Sequence, residues 1–433
     1  MPDIFEVFTE LRTIIFASSD TTRFALLKGS LPPSIFSVKL EYLAIHNNLF
    51  TNLPDTACNA TSLQYLDISL NQFSGATTEN GPLSCLAYLP NLKVYDFSEN
   101  LYTGDFPLEY ANFPALEFFA AFNSFPGLIK KRVFPTWVYN LTRLTTLRLG
   151  MNNLVGTVGS EIAQLSQLSE LQLTLNALSG TLPSELLQLG QLTSLTLEKN
   201  SFSGTVPNMN SLSLLRYFTV GQNKFSGTLP TLPGRLSLFM ISDNQITGTI
   251  PSSLPSSLTF FDAGGNDLKG TIPLSICLPP LSSIALPGNR EITGTIPSCL
   301  WSSTTISVLN LPSTNLEGTL PAIIRSSSLA EVVLSDTRVS GKLPEFSSAM
   351  QDFHAAKCAF SGTIPESYGI TFSTGELNLK YNQLSGYIPS NICDVHYLNL
   401  IGNEDFYCPL PSCCGTGTTV CPTGCVESPY YDE

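Results

Sequence analysis

Positive charge is scarce in this chain, and charge of any kind is modest. Of 433 residues, 21 are Lys or Arg and 34 are Asp or Glu, for a formal net charge of -13. Phosphate backbones and anionic lipid surfaces are gripped by clustered basic side chains. The basic residues here are scattered among a larger number of acids, which argues against nucleic acid and against a membrane surface as partners. No apolar run approaches the roughly 18 residues of a bilayer span, so no direct membrane insertion is expected. Histidine is rare as well, with His46, His354 and His396 far apart in the chain. No HExxH, GxSxG, P-loop, GxGxxG or EF-hand spacing occurs, and an enzyme, a cofactor and a metal centre are not expected. What the chain has in quantity is Gly and Pro, 30 of each, and neither is placed at random.

The first sixteen residues, MPDIFEVFTELRTIIF, do not form a secretory signal. Asp3, Glu6 and Glu10 interrupt the apolar residues, and no basic segment precedes a continuous apolar core. Their meaning comes from elsewhere in the chain.

Self-similarity provides it. LSELQLTLNALSGTLP (168–183), LTSLTLEKNSFSGTVP (192–207) and LRYFTVGQNKFSGTLP (215–230) share the frame LxxLxLxxNxLxGxLP, which recurs from Leu40 to Asn403 with a period near 23 residues. Its ninth position holds Asn48, Asn71, Asn100, Asn152, Asn176, Asn200, Asn223, Asn244, Asn266 and Asn289, then Thr314, Thr337, Cys358, Asn382 and Asn403, with Ser124 in one irregular repeat. That makes about sixteen repeats. Each LxL is a short strand whose leucines point inward while the residues between them point out. One repeat cannot bury its apolar side alone, so neighbours stack into a parallel sheet over a continuous core. The asparagine sits where the chain turns inside that core and satisfies backbone groups that cost ~1–3 kcal/mol if left unmet. Gly allows the tight turn that follows, and Pro sets φ where the chain bends back.

This pattern resembles the plant-type subclass of leucine-rich repeats, marked by LxGxIP after the LxxLxLxxN block, over nearly the whole chain. The resemblance implies an α/β-type solenoid, a horseshoe or superhelix with a parallel concave β-sheet and 3-10 turns and irregular segments on its convex side. Relatives of this kind include ectodomains of receptor-like kinases and receptor-like proteins, polygalacturonase-inhibiting proteins and protist surface proteins. They bind a protein, peptide or glycan ligand on the concave face. Set against PSELLQLGQLTSLTL (183–197), the opening PDIFEVFTELRTIIF (2–16) aligns Pro2 with Pro183, Phe8 with Leu189, Leu11 with Leu192 and Ile14 with Leu195. The chain thus begins in mid-repeat. Residues 1–39 are expected to be a truncated start without its N-terminal cap, 40–403 the repeat array, and 404–433 a Cys-rich C-terminal cap and tail. A monomer is expected.

Six of the eleven cysteines lie from Cys393 onward, a density that suggests an oxidising compartment. Cys58 and Cys85 stand about one repeat apart, as do Cys277 and Cys299, so either pair can bridge neighbouring coils or remain as reduced thiols. Cys393 and Cys408 flank the last strand, and the resemblance to a family C-terminal cap implies a disulfide between them. Cys413, Cys414, Cys421 and Cys425 are expected to form two more, since their spacing lacks the paired CxxC of common zinc sites. Cys358 is the odd one, and its ninth-position place favours a core thiol over a nucleophile. The sequons at Asn59 and Asn140 both fall four residues before the following repeat begins, outside the concave strand. The chain is therefore expected outside the cell or at its surface, and its signal peptide is expected to be missing from this sequence.

The outward positions carry the information about binding. In the first repeats they hold Tyr42, Tyr65, Asp67, Asp96, Phe118, Phe122 and Arg148, with Glu99 and Glu117 nearby, whereas the middle repeats carry mostly Ser, Thr and Gln. Aromatic anchors ringed by polar groups are what binding hot spots use. The bland account is a solvated face whose rings tuck against one another. A second, acidic column holds Glu331, Asp352 and Glu376, near His354, Lys380 and Tyr381. The expected function is recognition of such a ligand in signalling or defence. Inhibition of a secreted hydrolase and a structural wall role are the alternatives.

Overall fold

The computed structural model describes residues 5–8, 10–16, 26–37, 39–77, 83–122, 131–414 and 418–427. Ser124, the ninth residue of the irregular repeat, lies outside them. The chain forms two compact units, Met1–Lys224 and Phe225–Glu433.

In the first unit every repeat contributes one three-residue strand, from Thr13–Ile15 and Tyr42–Ala44 to Ser194–Thr196 and Tyr217–Thr219. Each strand pairs in parallel with the strand of the next repeat, without a shift in register. The middle residue of each strand faces the core. Leu43, Leu66, Tyr95, Phe119, Leu147, Leu171, Leu195 and Phe218 are all at most 1% exposed, and burying each such side chain stabilises the stack by ~1.5–3 kcal/mol. The second unit repeats the arrangement from Leu238–Met240 to Tyr397–Asn399 and Thr419–Val420.

The xLxG segment that leads into the Gly turn makes a second parallel ladder in both units, as between Leu154–Gly156, Ala177–Gly180 and Ser201–Thr205, or between Asp267–Thr271, Glu291–Thr295 and Asn315–Thr319. Gly180 shows why glycine is needed there. Its φ is +81°, and an added Cβ would lie 2.8 Å from the Thr157 methyl. Many of the coils close through 3-10 turns that follow the Pro, such as Asp55–Asn59, Thr136–Asn140, Ser184–Gln188 and Ser298–Ser302, while others, such as those after Thr205 and Thr228, close without one.

Between strand and ladder runs the asparagine row. Asn71 Oδ1 accepts from Phe50 N at 3.0 Å, while its Nδ2 donates to Ile45 O at 2.9 Å and to Ile68 O at 3.2 Å. Asn289 does the same with Leu268 N, Ala263 O and Leu286 O. One side chain therefore binds its own turn and the coil before it. Thr314 keeps only the local bond, donating to Leu311 O at 2.9 Å.

Near the start of the described residues a 3-10 turn at Phe5–Val7 is followed by the strand Thr13–Ile15, with Ile14 buried. Phe8 departs from its alignment with the buried Leu189, being 52% exposed.

Disulfides join Cys58 to Cys85 and Cys277 to Cys299, with Cα atoms 5.4 and 6.2 Å apart. The expected bridge between Cys393 and Cys408 is corrected. Cys393 bonds Cys413, Cys408 bonds Cys425, and Cys414 bonds Cys421. The reason is the repeat itself: Cys393 lies in the 3-10 turn Ser390–Asp394, and its neighbour across the stack must come about one repeat later. Cys413, at a separation of 20 residues, does so, and Cys408 comes too early. The backbone bond from Cys408 N to Val426 O, 2.9 Å, instead brings Cys425 beside Cys408.

Candidate ligand-binding face

Because the strands pair without slip, residues at equivalent positions line up as columns on the strand face. One column in the first unit runs Tyr42, Tyr65, Val94, Phe118, Thr146, Glu170. Beside it runs Ala44, Asp67, Asp96, Ala120, Arg148, Gln172. The candidate residues thus come together on one face, though not as a ring of free anchors.

Tyr42 and Tyr65 stack on each other, with ring centroids 4.0 Å apart and planes 11° from parallel. Burial raises the Tyr65 phenol above its ordinary value, and the hydrogen bond with Tyr42 and the charges of Asp67 and Asp96 add to it. Asp67 and Asp96 are register partners. Asp67 Oδ1 accepts from Ser69 N and Oγ at 3.0 and 2.7 Å, and its Oδ2 lies 2.9 Å from His46 Nδ1. Burial also raises the Asp96 carboxyl, opposed by its hydrogen bonds with Ser98; Asp67 raises it further, and Arg148 lowers it. The Arg148 guanidinium sits 5.4 Å from the Phe118 ring centroid, a cation–π geometry. Its Nε and Nη2 donate to the two carboxylate oxygens of Glu170 at 2.7 and 2.9 Å. Phe122 lies over Gly150, where an added Cβ would be 2.7 Å from the ring.

Two participants escape a sequence reading. Glu170 holds Arg148, and His46 faces Asp67. Both belong to outward positions of adjacent repeats, so the column rule was the available signal. Thr219, outward by position in the bland middle repeats, is 7% exposed and its hydroxyl has no partner.

In the second unit Glu331, Asp352 and Glu376 also fall on consecutive strands. Asp352 Oδ1 accepts from Glu376 N at 2.8 Å, and His354 Nε2 lies 3.8 Å from Glu376 Oε2. Tyr381 lies against Gly402, at a hollow shared with Ile401, Glu404 and Val426. Asn59 and Asn140 each end a 3-10 turn and are exposed, away from the strand face. Among the described residues no group of three His, Cys, Asp or Glu side chains gathers as metal ligands. No helix among them is long and apolar enough to cross a membrane.

Strand, asparagine row, glycine ladder and 3-10 turn, repeated coil after coil, define a leucine-rich-repeat solenoid of the plant-type subclass. No family model matches the chain. It is similar to receptor-like protein 39 of Arabidopsis thaliana, 34% identical over 133 residues, which is 30% of this chain and 14% of that protein. Receptor-like protein 41 of the same plant is 28% identical over 172 residues, 35% of this chain and 19% of its own length. The matches span less than a fifth of these curated relatives. Among solved structures, a TDR receptor superposes with a TM-score of 0.75 at 25% identity, covering 85% of this chain and 64% of that one. The Arabidopsis receptor kinase HAESA, solved with the peptide hormone IDA and the co-receptor SERK1, gives 0.70 at 26% identity over 95% of this chain and 76% of that one.

Proposed function

We propose that the chain is an extracellular recognition module that binds a peptide or protein ligand on the strand face of its first unit. The observation that carries this reading is the run of aromatic and charged side chains on consecutive strands from Tyr42 to Arg148. The core does not need these rings, which lie on the outward side of their strands. Flat apolar area beside the carboxylate of Asp96 suits a basic peptide, the rings providing contact and the acid orientation. The likeness to the HAESA ectodomain, solved with a peptide hormone, supports the same class of ligand. The disulfides and the exposed sequons at Asn59 and Asn140 support an extracellular location.

An array of Lys- and Arg-containing peptides, probed with the purified chain, tests the proposal. Replacing Tyr65 and Phe118 together by Ala is expected to weaken the selected peptide by ~2 kcal/mol or more, with the melting temperature little changed. Ser194→Ala is the control, and Thr219 is unsuitable because it is buried. If affinity survives the Tyr65 and Phe118 changes, the ligand sits elsewhere, and the Glu331, Asp352, Glu376 column is the next to replace.

A further inference from the structure

The second unit contains a pocket on the side of its coils that carries the 3-10 turns, away from its strand face. Two coils in succession close with 3-10 turns, Leu274–Cys277 and Ser298–Ser302, and the Cys277–Cys299 disulfide ties them together. The next coil does not follow suit. Its chain runs extended past Pro321, with Ile323 paired to Glu345 in a parallel bridge, and returns when Arg325 N and Ser326 N donate to Trp301 O at 3.2 and 3.0 Å. The change from stacked turns to an extended pair leaves a cavity of about 790 Å³ between them.

Leu274, Ile296, Pro297, Trp301, Leu320 and Ile323 provide its apolar walls, and Arg325 is the one charged side chain that lines it. Leu274 and Ile323 are 74% and 52% exposed, so the rim presents uncovered apolar surface. Among the described residues the Arg325 guanidinium has no ion-pair partner, and no acidic residue lines the cavity. Small-molecule sites have this character: several hundred Å³, mostly apolar, with few polar groups that fix orientation. One unpaired guanidinium beside apolar walls asks for one negative charge on an apolar body, and the planar fork of Arg matches a carboxylate.

We propose that this pocket binds a small apolar monocarboxylate, its anion held by Arg325 and its body against Trp301 and Ile323. The site is independent of the strand face and of the function proposed for it.

Phenylbutyrate and its neutral amide are the probes, titrated into the full chain by calorimetry and by tryptophan fluorescence. The chain has 2 Trp residues, and Trp137 lies in the first unit, so the fluorescence change is assigned by its loss in Trp301→Phe. The carboxylate is expected to saturate and to bind about tenfold or more tightly than the amide. Arg325→Gln, at an exposed position, erases that preference while the melting temperature stays put. Ile323→Asp, which sets a carboxylate at the rim, weakens the acid more than the amide. Equal affinity for acid and amide, an undiminished preference in Arg325→Gln, or no saturable binding of either at millimolar concentration overturns the proposal.

Discussion

Asn289→Ala tests whether the asparagine row holds successive coils together. Asn289 is fully buried, and its Oδ1 accepts from Leu268 N at 2.9 Å. Its Nδ2 donates to Ala263 O at 3.0 Å in the preceding coil and to Leu286 O at 3.1 Å in its own turn. Alanine removes these bonds and a longer one from Nδ2 to Pro287 O at 3.4 Å. The Leu268 amide, left buried without an acceptor, costs ~1–3 kcal/mol; the carbonyls cost less, because under-satisfied carbonyls are better tolerated than orphaned N–H groups. The expected loss is about 3 kcal/mol. Thr at the same place, following Thr314, keeps the local bond to the turn and gives up the reach to Leu268, so Asn289→Thr is expected to cost about half as much. Urea unfolding at unchanged m-value measures the loss, and hydrogen exchange at the Leu268 amide locates it, because that proton loses its acceptor in both variants. A loss below ~0.5 kcal/mol, the size of an ordinary surface substitution, together with unchanged protection at Leu268, refutes the idea that this row ties coil to coil.

The other expectations are shorter. Cys358 is the one free thiol among the described residues, half-buried, with its sulfur 3.1 Å from Leu334 O and its pKa raised first by burial; alkylation of the native chain should be slow and become fast in denaturant, and fast native labelling would revive a reactive role. Asp96 has a folded pKa above its ordinary value of 3.8, so its contribution to stability is fully present below that value and is lost as pH rises through the raised one. Asp96→Asn should therefore melt above the parent at pH 7, with the gap closing on acidification; a gap that is absent or that widens in acid contradicts the burial argument. Peptide mapping under non-reducing conditions should recover Cys393 linked to Cys413 and Cys408 to Cys425, and a Cys393–Cys408 peptide would restore the earlier pairing.

Much of the candidate face was legible because strand alternation assigns each residue a side. The columns holding Tyr42, Tyr65 and Phe118, and Asp67, Asp96 and Arg148, follow from counting along each repeat. What the rings and charges do within those columns was not legible. Whether Tyr65 stacks on Tyr42 or stands free depends on side-chain torsions, and whether Arg148 is available depends on Glu170 one strand away. Thr219 makes the same point in reverse, since its position reads as outward and its neighbours bury it.

By itself the sequence determined the solenoid, its period and the place of the inward leucines and asparagines. A repeat that cannot bury its own apolar side has one way to do so, and every copy states the same solution. Only the tertiary structure decided which thiols meet in the tail, that Glu170 ties down Arg148, and that a pocket opens beside Trp301 where the turns give way to an extended pair. Those outcomes depend on distances between neighbouring coils, and the period sets which residues are neighbours without setting how their side chains settle against one another.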